Sequence, residues 1–216
     1  MRTQDRRSFS VRAVVLLLAG LCFPLLAAAQ QPFDERAFSA RPNDLIAAAR
    51  TIAGPTNAEV VVLFDDTHIV YDTAGRAVET MHMLYRIGTA PAQDWSVVGA
   101  LWQPWRQQRP TIRARVITAD AREIQFDEKA LAEAPITAPE PDIFPDGRIL
   151  RGPLPATSPG AIVEVQIIIR DTQPLFDRGL VRYLPLGKLV PIVRTAITVE
   201  VLGLGGLPTA GDTFQA

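Results

Sequence analysis

The chain has 216 residues, 48% apolar and 21% charged, with a formal net charge of −1. Those values suit one globular domain with a buried core and exclude a disordered chain. The near-zero charge also excludes the clustered basic surface that nucleic-acid phosphates require, so no nucleic-acid partner is expected.

The first segment is read as an address rather than as fold. "MRTQDRRSFSVRA" carries Arg2, Arg6, Arg7 and Arg12, and "VVLLLAGLCFPLLA" and "AAA" follow it. A basic start, a short apolar run and small residues make up a secretory signal, residues 1–29, with cleavage between Ala29 and Gln30. The apolar run is short for a membrane span and holds Gly20 and Pro24, so no span is expected after cleavage. An uncleaved anchor is the alternative, and Arg6-Arg7 also permits twin-arginine export. The expected location is the periplasm or the medium. Four arginines, one acid (Asp5) and the single cysteine, Cys22, leave with this segment. The remainder has a net charge of −4 and no thiol, which excludes disulfides, thiolate nucleophiles and zinc–thiolate sites.

Residues 30–57 read as a polar lead followed by one short helix, "NDLIAAARTIAG". Asn43 is placed to cap it, Leu45, Ile46, Ala49 and Ile52 share a face, and Gly54-Pro55 stop it. From Ala58 to the end the pattern is β. "AEVVVLFDDTHIVY" and "RAVETMHMLYRIG" flank "DTAG", a hairpin turn in which Gly75 can take positive φ. Further strands are expected in "DWSVVGALW", "TIRARVITAD", "REIQF", "GRILRG", "AIVEVQIIIRD" and "IVRTAITVEVLG". In "TIRARVIT", Ile112, Ala114, Val116 and Thr118 alternate with Arg113, Arg115 and Ile117, giving one largely buried and one largely polar face. Connections too brief for crossover helices call for an antiparallel sheet. The expected fold is all-β, an antiparallel sandwich of about eight or more strands with Greek-key-like connections. The proline-rich stretch Leu131–Pro159 is expected to run extended over a sheet edge or to form a bulged edge strand.

Candidate chemistry is sparse. His68 and His82 lie on the two arms of the hairpin. If Asp72 pairs with Arg76, His68 faces Thr80 and Asp66 faces His82, so both imidazoles share a face with one carboxylate. That is a conceivable metal constellation, against two half-exposed histidines on a polar face. The register decides between those arrangements, because a one-residue slip separates the groups. Asp65, Asp66, Glu79 and Asp94 have no spacing that defines an acid/base pair. In "DWSVVGALWQPWRQQRP", Trp102, Trp105 and Arg106 form a candidate interaction surface, able to stack on sugar rings or bury against a protein. The alternative places Trp95 and Trp102 in the core. No phosphate-cradling loop, nucleophile elbow or metal-binding helix motif occurs, so neither a cofactor nor catalysis by this chain alone is expected.

The order of "VVLFDDTHIVYDTAGRAVETMHMLYRI", "QPWRQQRPTIRARVITADAREIQF" and "DIFPDGRILRGPLPATSPGAIVEVQIII" resembles the uncharacterised β-sandwich domain that precedes transglutaminase-like domains in exported bacterial proteins. The matching features are the turn Asp72–Gly75, the strand and turn Arg113–Asp120, and Leu154-Pro155 through Gly160 to Glu164, within a likeness spanning about Ala58 to Leu202. Ala121 stands where that family carries its turn glycine. The family continues into a domain with a Cys–His–Asp triad that has no counterpart before the chain stops at "GGLPTAGDTFQA". The resemblance implies a partner, a transglutaminase-like domain in the same or a neighbouring polypeptide. It also implies that the loop Pro155–Gly160 is scaffold leading into a central strand, with Val163, Val165 and Ile167 filling one face.

Overall fold

The structure is a computed structural model that describes residues 32–34, 36–55, 57–89, 93–136, 146–176, 184, 187–202 and 213–215. The expected signal segment, with Ala29 and Gln30, lies outside them. Among the described residues no helix is long and apolar enough to cross a membrane.

Among the described residues one α-helix, α1 (Pro42–Thr51), precedes ten strands: β1 (Val60–Tyr71), β2 (Ala77–Ile87), β3 (Val97–Trp102), β4 (Thr111–Ile117), β5 (Glu123–Gln125), β6 (Ala132–Pro135), β7 (Arg148–Pro153), β8 (Ile162–Arg170), β9 (Thr195–Val201) and β10 (Thr213–Gln215). Seven strands form one sheet in the order β10-β9-β1-β2-β8-β4-β5, and three form a second in the order β3-β7-β6. The all-β sandwich is therefore present, with one departure from the antiparallel rule. β9 runs parallel to β1, with Asp65 opposite Thr195 and Tyr71 opposite Val201. The connection that permits this is the rest of the domain rather than a crossover helix.

The hairpin register follows from its turn chemistry. The Asp72 N–H donates to Arg76 O (2.9 Å), and the Asp72 carboxylate accepts from the N–H groups of Ala74 and Arg76. Gly75 takes φ +81°, where a Cβ would crowd the backbone. This fixes Asp66 opposite His82 and His68 opposite Thr80. A bulge between Val62 and Phe64 shifts the pairing further along β1.

The main core lies between the sheets. Val60, Val62, Tyr85, Ile112, Ala114, Val116, Val163 and Val165 of the large sheet pack with Val98, Ala100 and Leu150 of the small one. The face of β4 that carries Arg113, Arg115 and Ile117 was expected to be largely polar, but Arg115 and Ile117 are buried while Arg113 stays exposed. Residues Phe33 to Ala49 cross that side of the large sheet and bury Val61, Leu63, Phe64, Leu84, Ile117 and Ile162. The helix starts two residues earlier than a cap at Asn43 would place it, because Arg41 is the N-cap and Pro42 opens the first turn. Asn43 makes no cap. At the other end, Arg86 of β2 donates to Ala49 O, which also accepts from Ile52 N–H, and to Ile52 O, setting a cation at the helix C-terminus. The proline-rich stretch Leu131–Pro159 supplies the edge strand β6, as expected, but also β7, the central strand of the small sheet, and residues 137–145 lie outside the described ones.

Candidate functional site

The small sheet presents two different faces. Register pairs Val97 with Pro153, Gly99 with Arg151, and Leu101 with Ile149; it also pairs Ala132 with Arg151 and Ala134 with Ile149. These residues share the outward face, since Val98, Ala100, Leu150 and Gly152 on the alternate positions are buried. The outward set is apolar except for Arg151, and Leu101 remains 60% exposed. Val97, also on this face, is 40% exposed.

At the Leu101 end this face opens into a groove of about 620 Å³, lined by Leu101, Trp102, Trp105, Ile136 and Ile169 together with Gln103, Arg106, Gln107, Asp146 and Gly147. The turn after β3 builds it. Gln107 N donates to Gln103 O (2.8 Å), and Gln103 N donates to the Gln107 amide oxygen (2.8 Å). Asp171, just past β8, fixes this turn: its Oδ1 accepts from Arg106 Nη1 (2.9 Å) and Gln107 Nε2 (3.0 Å). Its Oδ2 accepts from Ala77 N–H (3.1 Å). Arg106 was expected at the surface beside the indoles. It lines the groove with Trp102 and Trp105 but is only 8% exposed, its charge compensated by the equally buried Asp171 carboxylate. Trp105 is 46% exposed, Trp102 is half-buried, and Trp95 packs edge-on against Tyr85 at the core. Among the described residues the indole Nε1 of Trp102 is buried with no hydrogen-bond acceptor.

The predicted histidine face also forms, with different partners. His68 Nε2 lies 3.0 Å from Glu200 on β9, and His82 Nε2 lies 2.8 Å from Glu164 on β8. Asp66 sits opposite His82, and burial pushes its carboxyl above the ordinary value against the attraction of His82, His68 and Arg194. Among the described residues no set of three or more His, Cys, Asp and Glu side chains is gathered to hold a metal. The gathered charges form a different unit. Glu164 Oε1 also accepts from Phe38 N–H (2.7 Å), and Oε2 accepts from Arg115 Nε (2.6 Å) and Nη2 (2.5 Å). Arg115 then donates to Ala40 O (2.9 Å) and Glu123 (3.0 Å). Phe38 holds a left-handed φ of +65°, and its ring lies 4.4 Å from the Arg113 guanidinium and 5.7 Å from that of Arg115. Burial alone would raise the Glu164 carboxyl, but hydrogen bonds from His82 and Phe38 and the charges of Arg115 and His82 hold it below its ordinary value. This network fastens the N-terminal segment onto the sheet.

Sequence reasoning missed Glu164, Arg115, Asp171 and Phe38 as organising residues. The available signal was one carboxylate in the otherwise apolar "IVEVQIII", since a charge in a central strand needs a buried partner.

The sequence pattern of the family described as "Domain of Unknown Function with solved-structure structure (DUF3857)" matches residues 73–202. No curated protein matches the chain. Among solved structures, the fold is shared with a "putative protease" from Parabacteroides distasonis at 14% identity and a TM-score of 0.59, over 66% of this chain and 29% of that one. An M1 zinc metallopeptidase from Deinococcus radiodurans aligns at 13% identity over 66% of this chain and 32% of its own, with a TM-score of 0.33. The chain thus spans about a third or less of the length of these two structures.

Proposed function

The chain belongs to the DUF3857 family, and on that premise we propose that it is an exported, non-catalytic accessory domain that docks a transglutaminase-like or peptidase-like domain in the periplasm. The observation that carries this reading is the outward face of the small sheet, where Val97, Leu101, Ile149, Pro153, Ala132 and Ala134 surround a single charge, Arg151. A face of that composition loses little by leaving water against a protein partner. The fold's occurrence as 29% of a longer chain called a "putative protease" supports a peptidase-like domain as that partner, presented with substrate or held in position.

The test begins with the DNA downstream of the Ala216 codon. An in-frame or adjacent transglutaminase-like region is expected, and the two polypeptides, co-expressed, should co-elute. Val97→Glu places a charge in the face and should weaken the complex at least about tenfold, roughly 1.4 kcal/mol. Co-elution undisturbed by that substitution would sink the docking face, and an unrelated downstream gene would sink the association.

The second reading is a stand-alone periplasmic module for glycan or peptide. It is favoured by one observation, that Trp102 and Trp105 line a common groove with one indole exposed.

A further inference from the structure

Strand β3 stands at one edge of the small sheet and, among the described residues, pairs only with β7. The register tells which of its backbone groups β7 uses. Leu154 N–H donates to Ser96 O (2.9 Å), and in an antiparallel ladder the bonded pairs recur at every second residue. Val98 and Ala100 therefore bond Gly152 and Leu150, while the N–H and C=O groups of Val97, Gly99 and Leu101 point away from β7. All three residues are exposed, and at Gly99 the exposed surface is the backbone itself. No side chain fits there, since a Cβ would fall 2.7 Å from Leu150 O. Other strand edges are guarded: β6 carries Glu133 and Pro135, and β5 is three residues long with Glu123 among them. The six residues of β3, VVGALW, hold neither a charge nor a proline. Such an edge is a template for another strand.

We propose that the strand it takes is β3 of a second copy of this chain, in a two-fold antiparallel pair centred on Gly99. The edge is its own complement. A two-fold axis at Gly99 sets the two glycines opposite each other and Val97 opposite the second copy's Leu101, twice over. Each of these pairs exchanges two N–H···O bonds. No charged side chain of β3 meets its own image. Arg151, the one charge among the outward residues, lies one strand in, opposite Gly99. The two copies of it would stand three strand spacings apart, about 14 Å, beyond a Debye length of about 8 Å. The product is one six-stranded sheet, β6-β7-β3-β3-β7-β6, and because both free edges are consumed, assembly stops at two. A single strand pair buries less than the ~1,000 Å² of a stable interface, so the dimer is weak, with a Kd on the order of 100 µM. The proposal is independent of the partner domain proposed above, and its test uses this chain alone.

The experiment is sedimentation velocity of the purified chain over a concentration series spanning that Kd, with amide hydrogen exchange at both ends of the series. A monomer–dimer equilibrium is expected. The amides of Val97, Gly99 and Leu101 should gain protection as concentration rises, while those of Val98 and Ala100 are protected throughout. Leu101→Pro removes an N–H that β7 does not use, and with it two of the bonds across the two-fold axis. It should weaken the dimer at least about tenfold. Leu101→Lys keeps every backbone donor, guards the edge with a charge, and should weaken the dimer several-fold even if the proline variant fails to fold. A chain that stays monomeric across the series would overturn the proposal. So would a dimer whose added protection lies outside β3, or one that Leu101→Lys leaves unweakened. A ladder of larger species would overturn the two-fold closure.

Discussion

Glu164 sits in the middle of a central strand with Arg115 only 3% exposed beside it, an arrangement that is stable only while every lone pair is occupied. His82, Phe38 N–H and Arg115 occupy them. Glu164→Gln keeps the shape but removes the charge, leaving Arg115 facing Glu123 and Ala40 O alone. The expected loss is about 3 kcal/mol in urea unfolding, the usual cost of breaking a buried pair from one side. The pH dependence has a definite sign. The folded-state carboxyl titrates below its unfolded value, so its contribution is complete above the ordinary glutamate range and disappears as pH falls through the lower, folded value. The parent chain should therefore lose stability more steeply than Glu164→Gln on acidification below that range. Equal slopes for the two proteins would show that Glu164 is not the group responsible.

At the scale of strands and turns, Ala121 has φ +64° in the turn between β4 and β5, a conformation that favours glycine. The turn is held by Thr118 N–H to Arg122 O (2.9 Å) and Ala121 N–H to Thr118 O (2.8 Å). A left-handed alanine costs about 1–2 kcal/mol, and glycine gives back part of the gain through its freer unfolded chain. Ala121→Gly should therefore raise stability by about 0.5 kcal/mol in the same urea titration; a loss would mean that the alanine methyl's packing outweighs the strain. Such local chemistry is what the sequence makes legible. Asp72 through Gly75 set the hairpin register, and with it the shared face of Asp66, His68 and His82, without any tertiary information. The alternation of Arg113, Arg115 and Ile117 was equally visible but misleading as to environment. A polar stripe reads as solvent-facing unless one knows what covers it, and the cover arrives from residues 33–49, far away along the chain. The parallel pairing of β9 with β1 was hidden for the same reason, as was the role of Asp171 in burying Arg106. Each depends on partners 65 or more residues apart, where no period in the sequence reports the contact.

For the molecule as a whole, the small sheet packs on one face of the large sheet and the N-terminal segment covers part of the other, leaving His68, Glu200 and Arg113 accessible. That segment has two independent attachments. Leu45 is fully buried with Ile46 and Ala49 over Phe64, Leu84 and Ile162, while Phe38 N–H and Ala40 O are tied to Glu164 and Arg115. If the segment docks as one body, cutting either attachment releases part of the other. Leu45→Ala should cost about 3 kcal/mol by lost burial and the cavity left behind. Combined with Glu164→Gln, the double variant should lose less than the sum of the single losses, by about 1 kcal/mol, because contacting networks couple where distant sites add. The four proteins of this cycle, unfolded in urea under one buffer, provide the measurement. Additivity within about 0.5 kcal/mol would mean that helix and latch hold separately, and that the charge network serves the sheet rather than its cover.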